Sequence, residues 1–210
     1  MRKILATIIA SATVIAGCTQ NKTDNKMDNA SMPSDTAIVY MTKEISSEAI
    51  VRLYNALGRK AQGKVAIKIS TGEPGGHNFL QPSLIAGLVK LTDGTIVECN
   101  TAYEGRRFST EDHLKAAEEH GFTAIAPVDI MDADGEVKLP LEGGRHLSYD
   151  IVGSHYPDYD FTVILSHFKG HAMGGFGGAV KNMSIGIASS NGKSYIHSAG
   201  RLDTTSGLWD

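Results

Sequence analysis

Two histidines four residues apart, His167 and His171, stand in the stretch LSHFKGHAMGGFGGAVKNMS, Leu165 to Ser184, with Lys169, Lys181 and five glycines. Imidazole pairs are common ligands of transition metals, which makes His167 and His171 candidate metal ligands. His77 is a candidate third ligand, with Cys99 and Asp129 as second choices. Consecutive glycines expose backbone N–H groups, and a helix that follows adds partial positive charge, so the same segment suits an anion. Candidate anion-binding residues are Lys169, Gly174, Gly175, Gly177, Gly178, Lys181 and Asn182. His77 and Asn78 join them from a second glycine-bearing loop, STGEPGGHNF, Ser70 to Phe79. The competing structural reading is that the histidines hold a turn and the glycines only let backbones pack closely.

Several chemistries are excluded. The glycine run fits neither G-x-G-x-x-G nor a loop ending in Gly-Lys-Ser/Thr, so no nucleotide fingerprint is present. No nucleophile-elbow spacing supports acyl transfer. The chain has two cysteines, Cys18 and Cys99, too few for an internal iron–sulfur ligand set. A net charge of −3, with no basic patch, gives no reason to expect nucleic acid.

Loops that carry chemistry must be positioned by regular elements. The spacing predicts helices over Ser46–Gly58, Pro82–Leu91 and Ser109–Gly121. Ser46 and Ser109 are expected N-caps, and Gly58 and Gly121 expected stops. Strands are expected at Ala37–Met41, Lys64–Ser70, Thr95–Asn100, Thr123–Ile130 and Asp160–Ser166, with a hairpin over Asp132–Leu141 continued by Arg145–Gly153. His113 and His120 fall on the charged face of the third helix and are expected to be solvated. The alternation indicates an α/β domain with an open, mostly parallel sheet, flanking helices and a β-hairpin insertion. Ligands of such sheets sit beyond the carboxyl ends of the strands, so loops bearing His77, Cys99, Asp129 and His167/His171 are expected to converge on one rim.

The N-terminus reads differently. Arg2 and Lys3 precede the apolar run ILATIIASATVIAG, Ile4 to Gly17, which ends at IAGC. That pattern is expected of a signal peptide over residues 1–17, and it resembles a lipoprotein lipobox with lipid on Cys18. Residues 18–36, polar and aperiodic, are expected to be a flexible tether, leaving 37–210 as the folded domain. The expected location is the bacterial cell envelope, with the membrane as a partner through lipid on Cys18.

VAIKISTGEPGGHNFL, GTIVECNTAY, HGFTAIAPVDIMD, YDFTVILSHFKGHAMGGFGGAVKNMSIGIAS and YIHSAG together resemble the domain of unknown function 362 family, from about Ile38 to about Gly200. Members of that family are often described as uncharacterised iron–sulfur-centre proteins. The resemblance implies a metal or redox cofactor and a redox or ferredoxin-like partner. Many members carry further sequence with cysteine clusters, and against that pattern this chain reads as a short member. The functional expectation is therefore a metal or redox cofactor, or a small anionic ligand, at the His/Lys/Gly rim. The alternatives are a non-catalytic anion-capturing lipoprotein, or a truncated copy.

Overall fold

VAIK and TIVE are short, apolar and followed by polar turns, and each is followed or preceded by a helix whose apolar face needs a sheet to cover. The computed structural model describes residues 4–10 (backbone), 37–172 and 174–208. Its strands are β1 (Ile4–Ala10), β2 (Val65–Lys68), β3 (Thr95–Glu98), β4 (Val128–Ile130), β5 (Glu136–Pro140), β6 (Tyr149–Gly153), β7 (Phe161–His167), β8 (Lys169–His171) and β9 (Gly175–Gly177). Its helices are α1 (Ser47–Ala56), α2 (Pro82–Thr92), α3 (Thr110–Glu119), α4 (Ala179–Met183) and α5 (Ser190–His197). The main sheet runs β1-β7-β2-β3-β4 with every pair parallel. β5 and β6 form an antiparallel hairpin, and β8 and β9 a smaller one. The architecture is α/β, as the alternation requires.

The helix signals act as read. Ser46 Oγ accepts from the Ala49 N–H at 3.1 Å, and Ser109 Oγ from the Asp112 N–H at 3.3 Å. Pro82 opens α2, where its missing N–H costs nothing. Alternation along β2 then splits the core into two layers. Val65 and Ile67 pack with Ile50, Leu88 and Phe122 under α1 and α2, whereas Ala66 joins Val97, Met131, Val152 and Ile187 on the other side. α5 closes that second layer by lying against β6. Gly192 makes the approach possible, since a Cβ there would sit 1.9 Å from the Ile151 carbonyl oxygen.

Three expectations are corrected. Ala37–Met41 is exposed and forms no strand, because no partner strand lies beside it to pair its backbone. Thr123–Ile130 is a strand only from Val128; Phe122–Ala124 is a 3-10 turn that buries Phe122. The hairpin expected from Asp132 begins at Glu136, after the Asp134–Gly135 pair, and its loop is 141–148. Of the expected leader, Ile4–Ala10 lies along the free edge of β7 as β1, while Cys18 and the tether fall outside the described residues. Among the described residues no helix is long and apolar enough to cross a membrane.

Candidate functional site

Because the main strands are parallel, β2, β3 and β7 end on one rim, bringing Lys68, Glu98 and the start of the glycine segment together. Lys68 is only 1% exposed at the end of an otherwise apolar strand. A buried ammonium is tolerated only with its donors used, and here all three are. Nζ donates to Glu98 Oε2 at 2.7 Å, to Asn182 Oδ1 at 2.8 Å and to the Ile69 carbonyl. Glu98 Oε1 accepts from the Thr71 N–H at 2.8 Å and faces Arg107 Nη1 at 3.7 Å. Burial alone would raise the Glu98 carboxyl, but the charges of Lys68, His113 and Arg107 outweigh it and hold the group at about 2.

Asn182 carries that pair across to the glycine segment. Its Nδ2 faces the Leu165 carbonyl at 3.0 Å, Ser166 Oγ at 3.0 Å and the Lys68 carbonyl at 3.2 Å. One side chain thus ties β2, β7 and α4 together. Arg107 closes the other flank, donating to the Glu73 carboxylate and to Tyr103 Oη at 3.0 Å. Its Nε is buried with no hydrogen-bond partner among the described residues.

These groups wall a cleft of about 430 Å³. The strand ends contribute Lys68, Glu98, Cys99 and Ser166, the β8–β9 hairpin contributes Lys169, His171 and Gly177, and α4 and α5 contribute Lys181, Lys193 and His197. Lys68 and Arg107 are paired with carboxylates. Among the described residues Lys169, Lys181 and Lys193 make no ion pair, and burial pushes the ammonium pKa of Lys181 and of Lys193 down. The stems of Lys169 and Lys181 both pass beside Gly177, whose Cβ position would lie 3.7 Å from Lys181 Cδ and 3.9 Å from Lys169 Cγ.

The rim gathers only part of the expected set. His167, His171, Lys169, Lys181, Asn182, Gly177, Gly178 and Cys99 line the cleft. His77 and Asn78 are exposed in their loop and do not line it. Asp129 is on β4 at the sheet's far edge, where it accepts from Tyr159 Oη at 2.7 Å and pairs with His155 Nδ1 at 2.8 Å. Gly174 lies in the hairpin turn, donating its N–H to His171 Nδ1 at 3.0 Å, and Gly175, with φ of +74°, opens β9. Asn182 is a clasp whose polar atoms face protein partners. α4 spans five residues, too short to aim a helix dipole at a ligand.

Two of the expected metal ligands, His171 and Cys99, are already engaged within the protein. His171 directs Nδ1 at Gly174 and Nε2 at Lys181 Nζ. Cys99 keeps its proton, since burial pushes the thiol up to about 12, and donates it to the Ile187 carbonyl at 3.3 Å. His77 and Asp129 are elsewhere, and no group of three or more His, Cys, Asp or Glu that could hold a metal occurs among the described residues.

Buried Lys68, Arg107 and His113 and half-buried Lys193 are site residues that the sequence did not single out. His113 reverses the expectation of solvation. It is 0% exposed, with Nδ1 at 3.1 Å from Asn100 Oδ1 and Nε2 at 3.2 Å from Thr71 Oγ1. Its position three residues from Ala116, also buried, was the available signal, because the two share a helix face.

With this geometry in view, the chain is placed in its family. It matches the family described as domain of unknown function (DUF362) over residues 65–207, and it belongs to that family. Neither a curated protein nor a solved structure matches it significantly.

Burial, opposed by Glu98 and reinforced by Arg107 and Lys68, lowers the His113 pKa from its ordinary 6.5 to about 4. The unfolded chain therefore takes up this proton before the folded one. The stability tied to His113 is complete above about pH 6.5 and is lost as pH falls towards 4, by about 2 kcal/mol at pH 5. Urea unfolding at pH 7 and pH 5 should show this loss, and His113→Gln should shrink it. An undiminished difference in the variant would contradict the assignment.

Proposed function

We propose that this protein is an envelope lipoprotein, tethered through Cys18, whose cleft captures a small anionic molecule bearing carboxylate or phosphate. One observation carries the reading. A chain of net charge −3 lines its cleft with three lysines that have no carboxylate partner among the described residues, beside an orphaned buried guanidinium N–H. Like charges packed at one mouth repel each other, and an entering anion relieves that repulsion. The wall also contains backbone and side-chain donors at fixed positions, because Asn182 and the Lys68–Glu98 pair hold α4 and the hairpin to the sheet.

The anion reading is favoured over a metal one in the same cleft because the ring nitrogens of His171 and the thiol of Cys99 are engaged within the protein. Membrane attachment rests on the IAGC sequence after an apolar run and on the polar stretch that follows it.

Thermal unfolding of residues 37–210 should shift upward with a ligand from a set of phosphorylated and carboxylate metabolites, by the logarithmic dependence on concentration expected of one site. In Lys169→Gln the shift should fall by more than half. A melting temperature unmoved by every compound would defeat the anion reading. Separately, Cys18→Ser in the full chain should move the protein from the membrane fraction to the soluble one; retention in the membrane fraction would defeat the tether.

A further inference from the structure

The contact between His171 and Lys181 constrains where protons lie. Gly174 donates its backbone N–H to His171 Nδ1, so that nitrogen presents a lone pair. The ring's proton is then on Nε2, which makes Nε2 a donor. Nε2 faces Lys181 Nζ. A lysine ammonium has three donors and no lone pair, so two donors would confront each other. The pair is satisfied only when Lys181 is an uncharged amine that accepts from Nε2. Its surroundings favour that state: burial and the charge of Lys169 both lower its pKa, and no described carboxylate pairs with it. Lys193 and His197 line the same cleft and add no negative charge. A neutral lysine amine beside a second cationic group, open to a cleft, is the arrangement of an amine nucleophile.

We infer that Lys181 forms an imine with a carbonyl compound that also carries a carboxylate, an α-keto acid being the best fit. The inference rests on the anion reading above and deepens it. The stems of Lys169 and Lys181 both pass beside Gly177, and the Lys169 charge is felt at Lys181, so the two amines are near enough to serve adjacent groups of one ligand. The Lys169 ammonium holds the carboxylate, and Lys181 Nζ attacks the neighbouring carbonyl carbon. The new C–N bond forms as the carbonyl π bond breaks. The oxygen then collects the two amine hydrogens and leaves as water, giving C=N without any oxidant or reductant. His171 is a positioning residue that holds the attacking amine in its neutral form.

The test uses the protein of residues 37–210, once its cooperative unfolding has been verified, and also the full chain. Each is incubated with pyruvate and sodium borohydride, which reduces an imine to a stable secondary amine. Intact mass should show one N-carboxyethyl group, and peptide mapping should place it on Lys181 at roughly ten times the level of any other lysine, as an amine held uncharged by its neighbours requires. Lys181→Arg should lose the adduct, and His171→Phe should reduce it while shifting its pH profile to higher pH. Mapping on the unmutated protein keeps the test valid even if a variant fails to fold. Modification spread evenly over exposed lysines would overturn the inference. So would an absent adduct where carboxylates raise the melting temperature, an outcome that leaves the anion reading standing. Neither adduct nor thermal shift would overturn both.

Discussion

The buried pair of Lys68 and Glu98 is the constraint on which the rest of the rim depends. Removing two charges from water costs several kcal/mol per ion, and their mutual attraction offsets this only when the remaining hydrogen-bonding capacity is also used. Here it is used. The ammonium has three acceptors, and the carboxylate accepts from a backbone N–H and faces a guanidinium. One of those three acceptors is Asn182, 114 residues along the chain from Lys68. The pair therefore organises more than β2 and β3, because it also fixes where the glycine segment returns to the sheet. Taking any member away strands a buried polar group, which is costlier than the gain from a typical hydrogen bond.

From that anchor the electrostatics of the cleft follow. Lys68 and Arg107 are neutralised locally by Glu98 and Glu73, so neither contributes a free charge. Lys169, Lys181 and Lys193 are held on elements that the clasp positions, without anionic counterparts among the described residues. Positive potential concentrates at one concave site of an acidic protein, the pattern that steers small anions. Crowded amines also lower each other's proton affinity, which connects the proposed ligand capture to the chemistry proposed for Lys181.

Much of the fold could be read from the residues. Ser46, Pro82 and Ser109 start helices for local reasons, and local signals survive in any tertiary setting. The convergence of Cys99 with His167 and His171 followed from strand ends in a parallel sheet. Asp129 lies off the cleft because strand order, which decides how far apart rim loops lie, is not encoded in periodicity. His77 lies off it because it is exposed farther along a loop whose Ser70 and Glu73 do line the cleft. β4 proves to be an edge strand, and its Asp129 is taken by His155 and Tyr159. His113 and Lys68 were obscured for a related reason. A charged or titratable residue reads as surface until the distant partners that satisfy it are known, and Asn100, Glu98 and Asn182 come from other segments. α5 left no clear mark because SNGKSYIH is weakly amphipathic, and its close docking depends on the missing side chain of Gly192.

The account stands or falls on the coupling between the sheet and the glycine segment through Lys68 and Asn182. A double-mutant cycle with Lys68→Met and Asn182→Ala, read by urea unfolding, measures that coupling directly. The account predicts an interaction of at least about 1 kcal/mol, within the range for contacting members of one network. Strictly additive effects would contradict it, and the rim would then have no common anchor.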